Sequence, residues 1–280
     1  MLNNKPAIED RNIEAMRYGA NAAAILDQGA FDLGGAESVQ WVLRAPYLRY
    51  ETIVAMHLRF GIRVLELGAG TGRHSLVLCS DRIHTVCSDI APKALEVLQL
   101  RIKSHGYSVE TVATPMESTP FPNNSFDLIA SAGSLSYADP ETLNMEITRI
   151  LKPGGSFICV DSLNHNPIYR FNRWIHWRIK KDRTRSTLIR MPTITRMRQL
   201  GEHFESWELE GFGAASWLLS PLSHIIGSTI CARLSTLCDR LPGARRMAFK
   251  FVFVARGLKK TSPNATDRDP IAGPPLMRFR

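Results

Sequence analysis

An apolar, β-prone run at residues 62–67 leads into three alternate glycines, and this segment offers the first recognisable chemistry of the chain. The glycines are Gly68, Gly70 and Gly72, and Glu66 stands two residues before the first of them. Glycine adopts positive φ angles and lets the backbone contact a ligand, while a strand that turns into a helix directs N–H groups at that ligand. The pattern predicts a nucleotide-binding turn before a helical segment at residues 73–80.

The glycine spacing distinguishes two kinds of nucleotide site. A dinucleotide motif needs a small residue three positions after its second glycine, but Arg73 stands there, which disfavours a nicotinamide-dependent oxidoreductase. A second apolar strand, at residues 83–90, ends in Asp89 near the offset of about 20 residues at which an acid meets ribose hydroxyls. A carboxylate can accept both hydrogen bonds of a cis-diol. The alternative role of Asp89 is to cap the helix that follows.

Four segments, in order along the chain, resemble motifs of the class I S-adenosylmethionine-dependent methyltransferases. They are the glycine segment, the strand ending at Asp89, Phe121-Pro-Asn-Asn-Ser-Phe-Asp-Leu-Ile129 and Ile150-Leu-Lys-Pro-Gly-Gly-Ser-Phe-Ile158. The resemblance covers residues 62–160. It implies an α/β fold with a Rossmann-like, doubly wound, seven-stranded and mostly parallel sheet, an antiparallel last strand and helices on both faces. It also implies S-adenosyl-L-methionine as the cofactor.

The resemblance further implies a set of cofactor-binding residues. They are Glu66, Gly68, Ala69, Gly70, Gly72, Asp89, Ile90, Met116, Glu117 and Ser131. After the third strand the family usually places an acid that binds the adenine amino group, whereas this chain has Pro115 there. Glu117 would then supply the hydrogen bond from a shifted position, with Met116 on the adenine face. A cofactor pocket without catalytic activity is the alternative that Pro115 leaves open.

Length and composition indicate one elaborated domain, since 280 residues with 44% hydrophobic content can bury one large core. We expect a single methyltransferase domain at 1–258 and a disordered tail at 259–280. Within the domain we expect an N-terminal helical cap (1–60), a cofactor-binding core (61–163), a basic substrate-lid insertion (164–204) and C-terminal strands with a helix (205–258). Tyr18 or Trp41 of the cap could line the site or only pack.

The cysteines and the hydropathy pattern bear on the compartment. Five cysteines are scattered without paired short spacing, so we expect neither a disulfide framework nor a metal site. The N-terminus lacks an apolar leader, and no apolar run approaches the ~20 residues of a membrane helix. These features predict a cytoplasmic protein.

The segment 164–204 is the most unusual part of the composition. Ten Lys and Arg residues lie between Arg170 and Arg198 with Asp182 as the only acid, and aromatic residues are interleaved with them. Ligands of doubly wound folds enter at the carboxyl ends of the strands, so an insertion after the fifth strand is a candidate substrate lid. The expected substrate-binding residues are Tyr169, Arg170, Arg173, Trp174 and His176.

Three kinds of acceptor fit a basic, aromatic lid. An anionic small molecule or glycan ranks first, because arginine binds phosphate or carboxylate and aromatic rings stack on sugars; residues 166–176 also resemble segments of bacterial methyltransferases from polysaccharide and natural-product biosynthesis. An anionic membrane surface with a lipid or quinone acceptor ranks second. RNA ranks third, so we do not expect nucleic acid as a partner. A surface helix with solvated charges remains the alternative.

We expect methyl transfer to a hydroxyl, with a nitrogen or carbon atom as the alternative acceptor. Transfer to a hydroxyl needs in-line positioning of the acceptor and removal of its proton. His165 follows the fifth strand and has a side chain suited to proton transfer near neutral pH, so it is the first candidate for the general base. Tyr137 and Asp161 are the second candidates, as base or as groups that orient the acceptor. No residue pattern indicates a covalent nucleophile or a metal.

Overall fold

The structure, a computed structural model, describes residues 5–28, 34–180 and 185–260. In this part of the chain seven strands form one sheet. The strands are β1 (Arg63–Leu67), β2 (His84–Asp89), β3 (Glu110–Ala113), β4 (Phe126–Ala132), β5 (Leu151–Ser162), β6 (Phe204–Phe212) and β7 (Lys250–Leu258).

The strand order is β3-β2-β1-β4-β5-β7-β6. Strands β1 to β5 pair in parallel, and β7 runs antiparallel to both of its neighbours, β5 and β6. The predicted Rossmann-like, mostly parallel sheet with an antiparallel last strand is therefore confirmed. Because β6 runs in the same direction as β5, its carboxyl end lies at the same edge of the sheet.

Helices surround the sheet. They are α1 (Lys5–Gln28), α2 (Trp41–His57), α3 (Pro92–Ser104), α4 (Pro140–Ile150), α5 (Pro167–Lys180), α6 (Arg185–Arg190), α7 (Ile194–Gly201), α8 (Ser216–Ile226) and α9 (Ser228–Asp239). Helices α5, α6 and α7 occupy the predicted insertion between β5 and β6. The division at 60, 163, 204 and 258 stays a prediction, and most of the predicted disordered tail, 261–280, lies outside the described residues.

The core has two sides because successive residues of a buried strand point to opposite faces. In β5, Phe157 and Cys159 belong to one apolar cluster, which contains Leu143 and Ile147 of α4. Ile158 belongs to a second cluster, in which α2 packs on the opposite face. Both faces of the parallel strands are therefore covered, as a doubly wound sheet requires.

One local prediction differs from the structure, and the start of β5 is irregular. The segment at 73–80 forms only a short 3₁₀ helix, Ser75–Leu78, before the chain turns into β2. The helix before Pro153 ends at Ile150, and the Leu-Lys-Pro-Gly-Gly run already belongs to β5, beside a register irregularity in β4. The residue before a proline disfavours helical dihedral angles, so the helix stops ahead of Lys152 rather than at the proline.

Candidate active site

A cleft of about 300 Å³ lies at the carboxyl ends of β1, β2 and β4. Several residues selected from the sequence line it together: Glu66, Gly68, Ala69, Gly70, Asp89, Ile90, Met116, Glu117 and Tyr137. They come from separate parts of the chain, and the parallel sheet brings them together because its strand ends share one edge.

The three glycines of the loop have different surroundings although all have positive φ angles. A Cβ on Gly68 would lie 2.4 Å from Cβ and Oγ of Ser134, so the backbone there passes too close to its neighbour for any side chain. A Cβ on Gly70 would meet no atom within 4 Å, which leaves this part of the cleft open to a ligand. A Cβ on Gly72 would collide with Leu98 of α3. Gly72 thus permits packing of the loop on a helix and does not line the cleft.

Asp89 fastens the glycine loop to the end of β2. Its Oδ2 accepts a hydrogen bond from the Gly70 N–H (2.8 Å), and its Oδ1 accepts one from the Ala91 N–H (2.9 Å). Burial raises the pKa of the Asp89 carboxyl, and the backbone donors oppose that rise. Each carboxylate oxygen can accept a further hydrogen bond. Asp89 therefore fits a ribose diol while it also holds Ala91 at the start of α3.

Glu66 lies beneath the loop and is almost completely buried. Burial raises the pKa of its carboxyl from 4.5 to about 7. The hydrogen bonds from the Ser75 hydroxyl and the Cys87 thiol act in the opposite direction and lower this pKa. Ser75 opens the 3₁₀ helix that follows the glycines, so its hydrogen bond to Glu66 holds the far side of the loop.

We expect Glu66→Gln to make the free energy of unfolding less dependent on pH. A carboxyl whose folded pKa lies above its unfolded value stabilises the fold when protonated, and this contribution is lost as pH rises from about 4.5 to about 7. Glutamine does not titrate, so the variant gains roughly 2 kcal/mol relative to the wild type between pH 5 and pH 7.5. Urea unfolding of the ligand-free proteins at both pH values measures this gain.

The matched control for this test is Glu110→Gln, which changes an exposed carboxylate on β3. A stability difference between Glu66→Gln and the wild type that is the same at pH 5 and pH 7.5 would contradict a buried, titrating Glu66.

The opposite wall of the cleft contains Thr114, Pro115, Met116 and Glu117. Glu117 is buried, and its Oε1 accepts a hydrogen bond from the Asp139 N–H (3.1 Å). An acid is therefore present in this wall despite Pro115, two residues beyond the usual position. The last expected cofactor residue, Ser131, does not line the cleft. It is buried in β4 and bonds to the hydroxyl of Ser134, which lines the cleft in its place.

A pair of tyrosines closes another side of the cleft. The Tyr18 hydroxyl of α1 donates to the Tyr137 hydroxyl (2.8 Å), and Arg17 Nη2 donates to the same oxygen (3.3 Å). The two rings meet edge to face. Burial is the main cause that raises the pKa of Tyr18 far above its usual value, so Tyr18 stays protonated as a donor. With two donors on its oxygen, Tyr137 can direct its own proton to a ligand atom in the cleft.

The other two candidates for the general base do not line the cleft. Asp161 is buried at the end of β5, where its Oδ2 accepts a hydrogen bond from the Leu135 N–H (2.8 Å). It therefore holds the turn Leu135–Tyr137 and acts on Tyr137 through the backbone. His165 is exposed, and the structure does not bring it to the cleft.

The insertion reaches the cleft through α6 rather than α5. Thr187 and Arg190 of α6 line the cleft, whereas none of the four expected substrate residues with described side chains does. Tyr169 stacks on Phe249, Arg173 donates to the Leu163 carbonyl, Arg170 is exposed and Trp174 stacks on Phe171 at the surface. The side chain of His176 lies outside the described residues. Spacing within the insertion cannot show which of its helices folds back onto the sheet.

Further cleft residues were not selected from the sequence: Tyr47, Thr71, Arg73, His74, Ala132 and Gly133. His74 stacks on Tyr47 of α2 with ring centroids 4.1 Å apart, and its Nδ1 bonds to Glu51. The position of His74 directly after the glycine loop was its only sequence signal. Its partners on α2 lie more than 20 residues away, so no local pattern could reveal them.

Comparison with known proteins finds similarity in the central part of the chain. A family model described as a methyltransferase domain matches residues 65–159. A demethylmenaquinone methyltransferase of Clavibacter sepedonicus is 36% identical over 112 residues, covering 39% of this chain and 45% of the relative. A ubiquinone/menaquinone biosynthesis C-methyltransferase of Hahella chejuensis is 34% identical over 126 residues, covering 42% of this chain and 50% of the relative. The chain thus spans about half the length of the curated relatives it matches.

A solved structure shares the fold over a larger part of the chain. The geranyl diphosphate C-methyltransferase of Streptomyces coelicolor A3(2), in complex with Mg²⁺, geranyl diphosphate and S-adenosyl-L-homocysteine, is 16% identical with a TM-score of 0.51. The alignment covers 77% of this chain and 80% of that one. The methyltransferase-domain match at residues 65–159, the seven-stranded sheet and the glycine-lined cleft together support a class I S-adenosylmethionine-dependent methyltransferase.

Proposed function

We propose that the chain transfers a methyl group from S-adenosyl-L-methionine to a hydroxyl of an anionic small molecule. One observation carries this proposal: a single cleft joins the glycine loop and Asp89 to Tyr137 and Arg190. The glycine loop and Asp89 suit a nucleoside with an amino-acid tail. Tyr137 and Arg190 suit a polar acceptor. A cofactor pocket and an acceptor pocket must adjoin for in-line transfer, because the reacting atoms have to approach to about 3 Å.

The cofactor would lie along the glycine loop. Gly68, Ala69 and Gly70 would face its amino-acid and ribose parts, and Asp89 would accept hydrogen bonds from the ribose hydroxyls. Met116 and Glu117 would flank the adenine. When bound, S-adenosyl-L-methionine supplies an electrophilic methyl group on a sulfonium.

The acceptor would lie between the tyrosine pair and α6. Arg190 and Arg17 bring positive charge to this side of the cleft, which favours a phosphate or carboxylate on the acceptor. The aromatic rings of Phe171 and Trp174, which could stack on a sugar, lie at the surface and do not line the cleft. We therefore propose an anionic acceptor but no longer specify a glycan. The geranyl diphosphate of the similar solved structure is itself an anionic small molecule.

A quinone or lipid acceptor is the second candidate, since the two curated relatives carry quinone-biosynthesis names. RNA ranks below both, because the lining of the cleft offers tyrosines but no extended basic groove. We place the reaction in the cytoplasm, where thiols stay reduced, because all five cysteines are free.

Tyr137 is our choice for the residue that contacts the acceptor. Its oxygen accepts hydrogen bonds from Tyr18 and Arg17, and its own proton can bind the acceptor atom and orient it towards the methyl group, while the proton of the acceptor hydroxyl would pass to solvent water as the new bond forms. Asp161 is a positioning residue that acts through the turn carrying Tyr137. His165 has no place in this arrangement, because it is exposed outside the cleft.

Tyr137→Phe should lower turnover by about 100-fold while the affinity for S-adenosylhomocysteine changes less than about threefold, because only the hydroxyl is removed. The acceptor is found first by screening phosphate- and carboxylate-bearing small molecules, with quinones in parallel, for S-adenosylhomocysteine release. Tyr107→Phe, which changes a tyrosine outside the cleft, is the matched control. Turnover of Tyr137→Phe at the wild-type rate would remove Tyr137 from the mechanism. Cofactor binding without turnover on any acceptor would favour a non-catalytic binding protein.

A further inference from the structure

Helices α8 and α9 connect β6 to β7, and each leaves an apolar stripe exposed. In α8 the stripe is Leu218, Leu222 and Ile225; in α9 it is Ile230, Leu234 and Leu237, continued by Leu241. Ile225 is 81% exposed and Leu237 is 60% exposed. The spacing of three and four residues places each set on one face of its helix. These are outward faces, because Leu219 and Cys231 form the buried side of the helix pair.

Helix α5 adds a second amphipathic face beside α8. The Tyr169 hydroxyl donates to the Gly213 carbonyl just before α8, so the two helices begin next to each other. Ile168, Phe171, Trp174 and Ile179 are exposed on α5. We call α5, α8 and α9 together the apolar surface. Strands β5 and β6 lead into these helices from the sheet edge that holds the cleft, so the apolar surface adjoins that edge.

The segments that carry the apolar surface are also strongly basic. Residues 164–201 and 213–249 contain 14 Lys and Arg against two acids, whereas the rest of the chain contains 21 bases and 24 acids. Asp182, one of these acids, lies outside the described residues. The other acid, Asp239, accepts hydrogen bonds from the Gly213 and Ala214 N–H groups and so faces the protein. Part of this charge belongs to α6 and α7, where Arg190 lines the cleft, but α5 itself carries four bases and no acid and so brings positive charge to the apolar surface.

This combination selects one occupant for the surface. A second copy of the chain would bring two basic surfaces together, and the like charges would repel. An anionic bilayer accepts the apolar side chains at the level of its headgroups and attracts the bases, each contributing favourably near the surface. No helix in the described part of the chain is long and apolar enough to span a membrane. We propose that the apolar surface binds peripherally to anionic lipid bilayers. This inference does not depend on the identity of the methyl acceptor.

Vesicle cosedimentation tests the proposal with the full chain. The vesicles are phosphatidylcholine alone, or phosphatidylcholine with 30% phosphatidylglycerol, at low and high salt. We expect binding to the anionic vesicles to be at least about tenfold stronger than to the neutral ones. Binding should weaken at high salt, because salt screens the attraction between the basic side chains and the anionic headgroups. The double variant Ile225→Ser/Leu237→Ser should lose at least about tenfold in partitioning, since it removes apolar side chains that enter the bilayer.

Met145→Ser is the matched control, because Met145 is an equally exposed apolar residue on α4, outside the apolar surface. It should partition as the wild type does. Circular dichroism and S-adenosylhomocysteine affinity, measured on all variants, separate loss of membrane binding from loss of fold or of cofactor binding. Wild-type partitioning by the double variant would overturn the proposal, as would no binding of the wild type to anionic vesicles. A wild-type dimer that the double variant converts to a monomer would overturn it in favour of a second copy.

Discussion

Replacement of Gly68 by alanine is expected to reduce the affinity for S-adenosylhomocysteine by at least about 100-fold, or about 2.7 kcal/mol. The backbone of Gly68 has φ +68°, a conformation that costs an L-residue roughly 1–2 kcal/mol. The added Cβ would also lie 2.4 Å from Ser134 Cβ and Oγ. Ser134 cannot easily move away, because its hydroxyl donates to the Leu67 carbonyl (3.0 Å) and bonds to Ser131 (2.7 Å). The loop itself must shift, and the cleft changes shape.

Gly106→Ala is the matched control for Gly68→Ala. Gly106 has φ +82°, and an added Cβ would meet no atom within 4 Å, so this variant carries the backbone strain without the collision. It should lower the melting temperature slightly and leave the affinity unchanged, as calorimetric titration can show. Wild-type affinity in Gly68→Ala would mean that the ligand does not depend on the glycine loop.

Replacement of Asp89 by alanine should weaken S-adenosylhomocysteine binding at least about tenfold, or about 1.4 kcal/mol. The variant removes the proposed acceptor of the ribose hydroxyls and also the partner of the Gly70 and Ala91 N–H groups. Asp89→Asn keeps the shape and one acceptor oxygen, so its affinity should fall between those of the wild type and Asp89→Ala. Calorimetric titration gives the three affinities, and urea unfolding gives the accompanying loss of stability.

A second aspartate offers a control for the structural part of this effect. Asp127 on β4 accepts a hydrogen bond from the Arg63 N–H (2.9 Å) and pairs with Lys152, at the edge of the sheet opposite the cleft. Asp127→Ala should therefore cost stability without changing affinity. Equal affinities of Asp89→Ala and Asp127→Ala would refute the ribose contact.

The cofactor side of the cleft could be predicted because its determinants are local. Gly68, Gly70 and Asp89 each follow directly from the strand that positions them, and parallel strands bring their carboxyl ends to one edge. The strand pattern also predicts the sheet, because alternating strand and helix segments leave few arrangements that bury both faces. Gly72 and Ser131 fit the family pattern but lie behind the cleft. A sequence motif does not show which of its residues face the ligand.

The acceptor side could not be predicted in the same way because its contacts are long-range. Tyr18 and Tyr137 are separated by 119 residues, and no local pattern joins them. The choice between α5 and α6 as the lining of the cleft depends on how the insertion folds back, which the charge pattern does not specify. His165 follows β5 closely in sequence, yet the chain turns it outward to solvent.

Calorimetric titration of the purified chain with S-adenosylhomocysteine, with NADH in a parallel titration, tests the central claim most directly. The glycine loop with Arg73 at the position that a dinucleotide site reserves for a small residue predicts micromolar binding of S-adenosylhomocysteine and no binding of NADH. Binding of NADH, or of neither compound, would contradict the assignment of the cleft to S-adenosylmethionine.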